Sequence, residues 1–343
     1  MTKRADILII GAGVIGASVA WHLAQRGASN VVVVDRAPDL GGGSTPRATG
    51  GFRAQFDNET EIRMSMLARK KLLAFEEEIG CDSGYRPYGY LFLACNDAEL
   101  EELRRVNAIQ RACGLDDARI IDADEARAIN PAIGDARVIG GAYCASDGFI
   151  RAMNILRGYA GAAKKLGVRF EFGVEKSVAE ALEEARIVVN AAGAWSGAPV
   201  TPLRRKVAAT IETNILPESM PMTIWSGDWY HIRVRDGRVL LLWPDDPPSD
   251  ETWYDELLRM TNERVPILRD VAVDFCWSGF YEMSPDERAI VGRSPQIENL
   301  YLATGCSGHG VMHSPAIGQL VAELILDGTT SIDISALSPS RFV

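Results

Sequence analysis

The chain has 343 residues, 47% of them hydrophobic, and a net charge of −10. That length gives one large or two interwoven domains with a sizeable core. The acidic balance and the lack of any Lys/Arg run exclude a nucleic-acid partner, and no apolar run of about 18 residues is present to span a membrane. The six cysteines (81, 95, 113, 144, 276 and 306) form no C-x-x-C. They are read as reduced thiols of a cytoplasmic protein, not as a disulfide frame or a metal site. The N-terminal apolar run is soon broken by glycines, unlike a signal peptide.

In chain order, Ile7-Leu-Ile-Ile is a buried strand that breaks at Gly11-Ala-Gly13-Val14-Ile15-Gly16 and passes into an apolar pattern of helical period. This is G-x-G-x-x-G in the setting a dinucleotide needs. Gly11 permits the tight turn, Gly13 lets a pyrophosphate approach the backbone, and Gly16 lets the helix pack on the strand. The first-turn N–H groups at Val14 and Ile15 then face the phosphates. The β-branched run Val31–Val34 ends in Asp35, where an acid accepts ribose hydroxyls, with Arg36 beside it. A 2′-phosphate is repelled there, which disfavours NADP.

The glycine-rich loop from Leu40 to Phe56 follows. Its Gly43, Ser44, Thr45, Thr49, Gly50 and Gly51 suit close approach to a cofactor, and Arg53 offers a bidentate cation. A helix is expected over 59–79, a strand over 89–94, a helix capped by Asp97 running to about Cys113, and a short helix over 122–129. A strand over 138–143, a helix over 149–166 stopped by Gly167, and a strand over 168–172 come next. The strand from Ala185 to Asn190 runs into the small-residue turn Ala191-Ala192-Gly193-Ala-Trp195. From Thr201 short apolar or alternating pieces predict an antiparallel sheet, with a helical excursion from Asp250 to Arg269. Strands over 275–283 and 300–304 lead to Gly305-Cys-Ser-Gly308-His309-Gly310-Val311-Met312. The last helix is expected from Pro315 to Leu326, with proline in its first turn.

Four segments carry a resemblance. They are Gly11–Gly16 with Asp35, the loop from Gly43 to Arg53, Val189-Asn-Ala-Ala-Gly193-Ala-Trp195, and Gly305 to Ala316. Together the chain resembles the FAD-dependent amine and amino-acid oxidoreductases of the D-amino-acid oxidase, glycine oxidase and sarcosine oxidase type, and looks closest to the β subunits of sarcosine oxidase and proline dehydrogenase. The resemblance implies an α/β fold: a Rossmann-type FAD domain (1–80, 138–200 and 280–335) interwoven with an α+β substrate domain on a mixed sheet (81–137 and 201–279). It implies oxidation of a C–N bond in a small amino or imino acid by hydride transfer to flavin N5, giving an imine that water hydrolyses. Arg53 matches an arginine that clamps the substrate carboxylate. Val174 falls where backbone contacts adenine, and Gly308, His309, Gly310 and Val311 where the loop holds the flavin. Tyr230 and His231, on the inserted sheet, are candidates to line the substrate face.

Two departures from the family bear on chemistry. Gly279 stands where monomeric sarcosine oxidases attach flavin through cysteine, so non-covalent FAD is expected. Met312 stands where the same enzymes place a lysine, so half of their carboxylate clamp is absent. The chain is also short for the family, at the joins 176–184 and 196–199. The expected partners are the substrate, O2 or an electron-accepting protein, and an α-type subunit or a second copy. A hydroxy-acid or glycerol-phosphate dehydrogenase, a NAD-dependent dehydrogenase and a β-type subunit needing a partner stay open as rivals.

Overall fold

The computed structural model describes residues 5–245, 247 and 249–343. In chain order the elements are β1 (Ala5–Ile10), α1 (Val14–Gln25), β2 (Val31–Asp35), β3 (Gly51–Phe52), α2 (Glu59–Leu73), α3 (Phe75–Ile79), β4 (Tyr90–Ala94), α4 (Asp97–Ala112), β5 (Ala118–Asp122), α5 (Ala123–Ile129), β6 (Gly140–Cys144) and β7 (Gly148–Phe149). There follow α6 (Ala152–Lys165), β8 (Arg169–Phe172), α7 (Val178–Glu184), β9 (Ala185–Asn190), β10 (Thr201–Thr210), β11 (Met222–Trp225), β12 (His231–Arg235), β13 (Arg238–Leu242), α8 (Asp250–Arg264), β14 (Val273–Met283), β15 (Ile290–Arg293), β16 (Leu300–Thr304) and α9 (Gly310–Leu326).

Two large sheets divide the work. One has the order β15-β16-β9-β1-β2-β8, with β1 parallel to both β2 and β9. Its central strands are apolar on both faces because helices cover both faces. The α1 helix, on one face, packs against α6 and α9, and Ile9, Val33, Leu23, Ile317 and Leu320 meet in the core there. The other sheet has the order β14-β10-β13-β12-β11-β4-β6-β5 and is antiparallel except for β11 beside β4. Its α8 face is filled by Trp225, Tyr230, Ile232, Trp253 and Leu257. The mixed α/β architecture agrees with the sequence reading. The strand β6 lies in the second sheet, so the expected segment starting at 138 gives its first strand to the substrate side. The strand β14 likewise runs through the expected boundary at 279–280.

Several local expectations shift. Asn96, not Asp97, caps α4, because its side chain accepts from the Glu99 N–H. The last helix begins at Gly310, five residues before the expected start, and carries Pro315 in its interior. Proline lacks the N–H that the Val311 carbonyl, four residues back, would receive, and the Ser314 hydroxyl donates to that carbonyl at 2.9 Å instead. The join at 176–184 is the helix α7, opened by a capping box in which Ser177 and Glu180 satisfy each other's backbone N–H. The short strands β5, β11 and β15 were not expected. Among the described residues no helix is long and apolar enough to cross a membrane.

Candidate active site

The end of β1 sets the first half of the site. Gly11 has φ +105° and its backbone lies against Ala191, so a Cβ would run into the Ala191 carbonyl. At Gly13 the space is open: a Cβ would meet nothing nearer than Thr45 Oγ1 at 3.7 Å. Gly13 is also the N-cap of α1 and no side chain caps that end, although Thr45 Oγ1 accepts from Val14 N at 3.3 Å. The helix N–H groups at Ile15 and Gly16, with the helix dipole behind them, are donors suited to an anion such as a phosphate. Asp35 is fixed at the end of β2 by accepting from Ala12 N at 2.7 Å and Ala37 N at 2.8 Å. Beside it, Val174 N donates to the Asp35 carbonyl at 2.9 Å. Arg36 lies over the Trp195 ring at 5.3 Å. Asp35, Arg36, Val174 and Trp195 thus gather at one end of the parallel sheet.

The small-residue turn after β9 is held by Asn190, whose side chain donates to Ser196 O at 2.7 Å and accepts from Ala192 N at 3.2 Å. The Gly193 carbonyl receives Thr304 Oγ1 at 3.1 Å. Glu282, which the sequence reading did not single out, ties this turn to the C-terminal junction. It accepts from Thr304 Oγ1 at 2.8 Å and from Cys306 N at 3.2 Å.

The glycine-rich loop is latched from the second sheet. Residues 231, 233 and 235 alternate onto one face of β12. From that face Arg233 donates to Thr49 O, and Arg235 to Ala48 O at 3.2 Å. Arg233 stacks on Phe149 at 3.7 Å, and burial lowers its pKa to about 9. Gly50 O receives Ile150 N at 2.8 Å and Gly51 pairs with Phe149 in the two-stranded β3–β7 ribbon. Ser44 donates to Phe280 O at 2.7 Å. Gly43 has open space around it, and Gly279 packs against the Arg47 side chain.

At the C-terminal junction, His309 is the N-cap of α9, and Gly310, Val311 and Met312 form its first turn. No acidic residue occupies that turn. His309 makes no side-chain cap bond, so this helix end too has backbone donors to offer an anion. Gly308 has φ +95° and a Cβ there would strike the Tyr281 ring. Nδ1 of His309 is buried without a partner.

Arg53 is the cation beside the C-terminal junction. Its Nη1 donates to Gln55 O and its Nη2 to His309 Nε2 at 3.2 Å, with the Phe56 ring 3.9 Å from its centre. Among the described residues no carboxylate stands within 4.0 Å of it. Desolvation lowers its pKa, with Tyr90, Glu61 and Asp147 opposing. His231 is a close neighbour: burial depresses it to about 4 and the Arg53 charge adds to the effect. His231 Nδ1 lies 2.7 Å from the Trp229 carbonyl, so Nδ1 carries the proton and Nε2 keeps its lone pair. Tyr281 on β14 feels Arg53 as well, although burial raises its pKa overall.

The structure corrects one candidate. Tyr230 is fully buried on the α8 side of the sheet, its hydroxyl 2.8 Å from Thr261 Oγ1. Neighbours on a strand point to opposite faces, so His231 on the site face places Tyr230 in the core. Tyr281, Tyr90, Glu61, Asp147 and Glu282 are the site residues that the sequence reading passed over. The Gly-Phe-Tyr281-Glu282 strand was read only for the missing cysteine at Gly279.

Comparison with known proteins agrees with this geometry. Residues 6–324 match the family model described as DAO, FAD dependent oxidoreductase. The chain is 28% identical to FAD-dependent oxidoreductase domain-containing protein 1 of Xenopus laevis, over 99% of this chain and 83% of that protein. It is 26% identical to glycine oxidase of Bacillus licheniformis, over 95% of this chain and 94% of that one. Among solved structures it superposes on L-proline dehydrogenase from P. horikoshii with a TM-score of 0.89 and 27% identity, over 100% and 98% of the two chains.

Proposed function

Because the chain belongs to the DAO family of FAD-dependent oxidoreductases, with FAD as its cofactor, we propose that it oxidises the carbon–nitrogen bond of a small amino or imino acid whose carboxylate is bound by Arg53. The observation that carries this reading is Arg53 itself. A half-buried guanidinium with no carboxylate partner among the described residues is stabilised when an anion arrives to pair with it. The names of two relatives, glycine oxidase and L-proline dehydrogenase, support a substrate of that size.

The residues fit FAD along its length. Asp35 and Val174 would hold the adenosine end, the open backbone at Gly13 and the α1 N-terminus the pyrophosphate, and the 308–312 turn the flavin. Gly279 offers no side chain for a thioether to the flavin, which supports non-covalent binding. When bound, FAD supplies the hydride acceptor. Everything else is positioning. Arg53 orients the carboxylate through its bidentate fork, and with Met312 in place of a second cation it does so alone. His231 Nε2 accepts an N–H of the substrate amine and turns its α-carbon towards the flavin. Phe56 and Phe92, whose rings lie 3.9 and 5.7 Å from the Arg53 guanidinium, would line the substrate face beside it.

Replacing Arg53 with glutamine tests the reading. Losing a charge-assisted pair costs about 1.5–3 kcal/mol, so kcat/KM for a carboxylate-bearing amine falls roughly ten- to hundredfold, with FAD content unchanged. An Arg53→Gln enzyme with wild-type kcat/KM contradicts it.

A further inference from the structure

Directly behind Arg53 lies a buried carboxylate that neither cofactor nor substrate reaches in the reading above. Asp147, in the turn between β6 and β7, is 0% exposed. Its Oδ1 accepts from Ala54 N at 2.7 Å and its Oδ2 from Gln55 Nε2 at 3.2 Å. Gln55 also donates to Tyr90 O at 3.2 Å, and its backbone carbonyl is the acceptor of Arg53 Nη1. Asp147 is tied down in turn, because its own carbonyl accepts from Gly89 N at 2.8 Å. One side chain from a distant part of the sequence therefore holds both residues that follow Arg53.

We propose that Asp147 is the positioning residue of the carboxylate clamp, fixing through Ala54 and Gln55 the direction in which the Arg53 guanidinium points. This rests on the reading of Arg53 as the clamp. An ionised carboxylate accepts at both oxygens. A protonated one keeps one acceptor for the Ala54 N–H but turns the other oxygen into a donor, which Gln55 can meet only by turning its otherwise unpartnered Oε1 towards it and giving up its bond to the Tyr90 carbonyl. The brace therefore holds in the ionised form and slackens in the neutral one.

Burial pushes Asp147 up to about 6, opposed by its bonds to Ala54 and Gln55 and by the charges of Arg53 and Arg69. The other groups facing it are Tyr85, Tyr90 and Cys144, all raised by burial and hence neutral, with Asp117 beyond Ser146. Carboxylate binding should therefore weaken as the pH falls through about 6.

The experiment uses the FAD-loaded enzyme and trifluoroacetate, a carboxylate that stays ionised over the whole range. Its Kd is read from the perturbation of the flavin spectrum between pH 5 and 8. Wild-type Kd is expected to rise about tenfold across a midpoint near 6. Asp147→Asn keeps the shape but not the second acceptor, and is expected to bind about tenfold more weakly at pH 8, with no inflection near 6. In turnover the same variant should raise KM and leave kcat nearly unchanged. If Arg53→Gln loses trifluoroacetate binding while Asp147→Asn matches wild type, the positioning role is wrong and the clamp stands. If Arg53→Gln binds it as wild type does, the clamp itself is wrong. Should Asp147→Asn fail to hold FAD, the wild-type profile still decides, and a flat Kd from pH 5 to 8 overturns the proposal.

Discussion

Nη2 of Arg53 lies 3.2 Å from Nε2 of His309. A guanidinium can only donate, so Nε2 is the acceptor and the neutral imidazole carries its proton on Nδ1. That nitrogen faces Glu61 Oε1 at 4.0 Å. Burial first, and Arg53 second, hold His309 well below its usual pKa, which favours the neutral imidazole that this bond needs. The turn at the N-terminus of α9 and the carboxylate clamp are thus joined through one hydrogen bond.

Removing that acceptor should loosen Arg53 without removing its charge. His309→Phe is expected to raise KM for the carboxylate substrate roughly tenfold, a loss of about 1.4 kcal/mol, the size of one hydrogen bond to a charged group. Steady-state kinetics against wild type measure it, and an unchanged KM would show that Arg53 does not depend on His309.

Two glycines of the first motif should fail in different ways. Gly11→Ala places a Cβ at φ +105° against the Ala191 carbonyl, so the β1–β9 contact must shift and the protein loses stability whether or not FAD is present. Gly13→Ala has room in the protein, with Thr45 Oγ1 at 3.7 Å, and its methyl group projects where the pyrophosphate must approach. The expected result is a near-normal Tm for the apoprotein and a large loss of FAD affinity. Thermal melts of both variants with and without FAD make the comparison.

His231 sits too low, at about 4, to act as a strong base towards an ammonium group. In the proposed mechanism its role is to accept an N–H bond from the substrate amine. His231→Ala should therefore lower kcat about tenfold, less than the roughly 10²–10⁴ expected of a general base. The rise of kcat/KM with pH should follow the substrate amine and the Asp147 step near 6, with no contribution from this histidine, so that the profile keeps its shape in the variant. A pH–rate profile whose acid limb vanishes in the variant would assign His231 the proton instead.

Acid stability follows from His22 in the core between α1 and α6. It is 2% exposed, and burial depresses it to about 3. In the unfolded chain it takes up a proton near 6.5, so its contribution is fully present above that pH and is lost as pH falls towards 3. The slope over that window is about 1.4 kcal/mol per pH unit. Replacing His22 with glutamine should flatten the dependence of unfolding free energy on pH by about that amount between pH 6 and 4. Denaturant melts that keep the wild-type slope would contradict this.

The cofactor half of the site was legible because it is local. Strand, glycines, helix and Asp35 lie within one stretch of chain, and each residue type answers a demand of its own segment. Trp195 and the 308–312 turn were singled out in the same way, through glycines at strand ends. The substrate half is built from partners far apart in sequence, and spacing does not record them. Asp147 and Ala54 are separated by 93 residues, and Arg233 and Thr49 by 184. The reading placed Tyr230 and His231 together, although adjacent strand residues cannot share a face. It began α9 at Pro315 because proline favours a first turn, whereas Ser314 supplies the hydroxyl that lets the helix start at Gly310.

The most direct measurement is the visible spectrum of the FAD-loaded protein, titrated without oxygen with glycine, sarcosine, L-proline and D-alanine, and then with the matching amines that lack a carboxylate and with hydroxy acids. Oxidation of a C–N bond beside a clamped carboxylate predicts that at least one amino or imino acid bleaches the flavin bands and that its decarboxylated counterpart does not. Flavin that stays oxidised with every amine, or is reduced by a hydroxy acid alone, would contradict it.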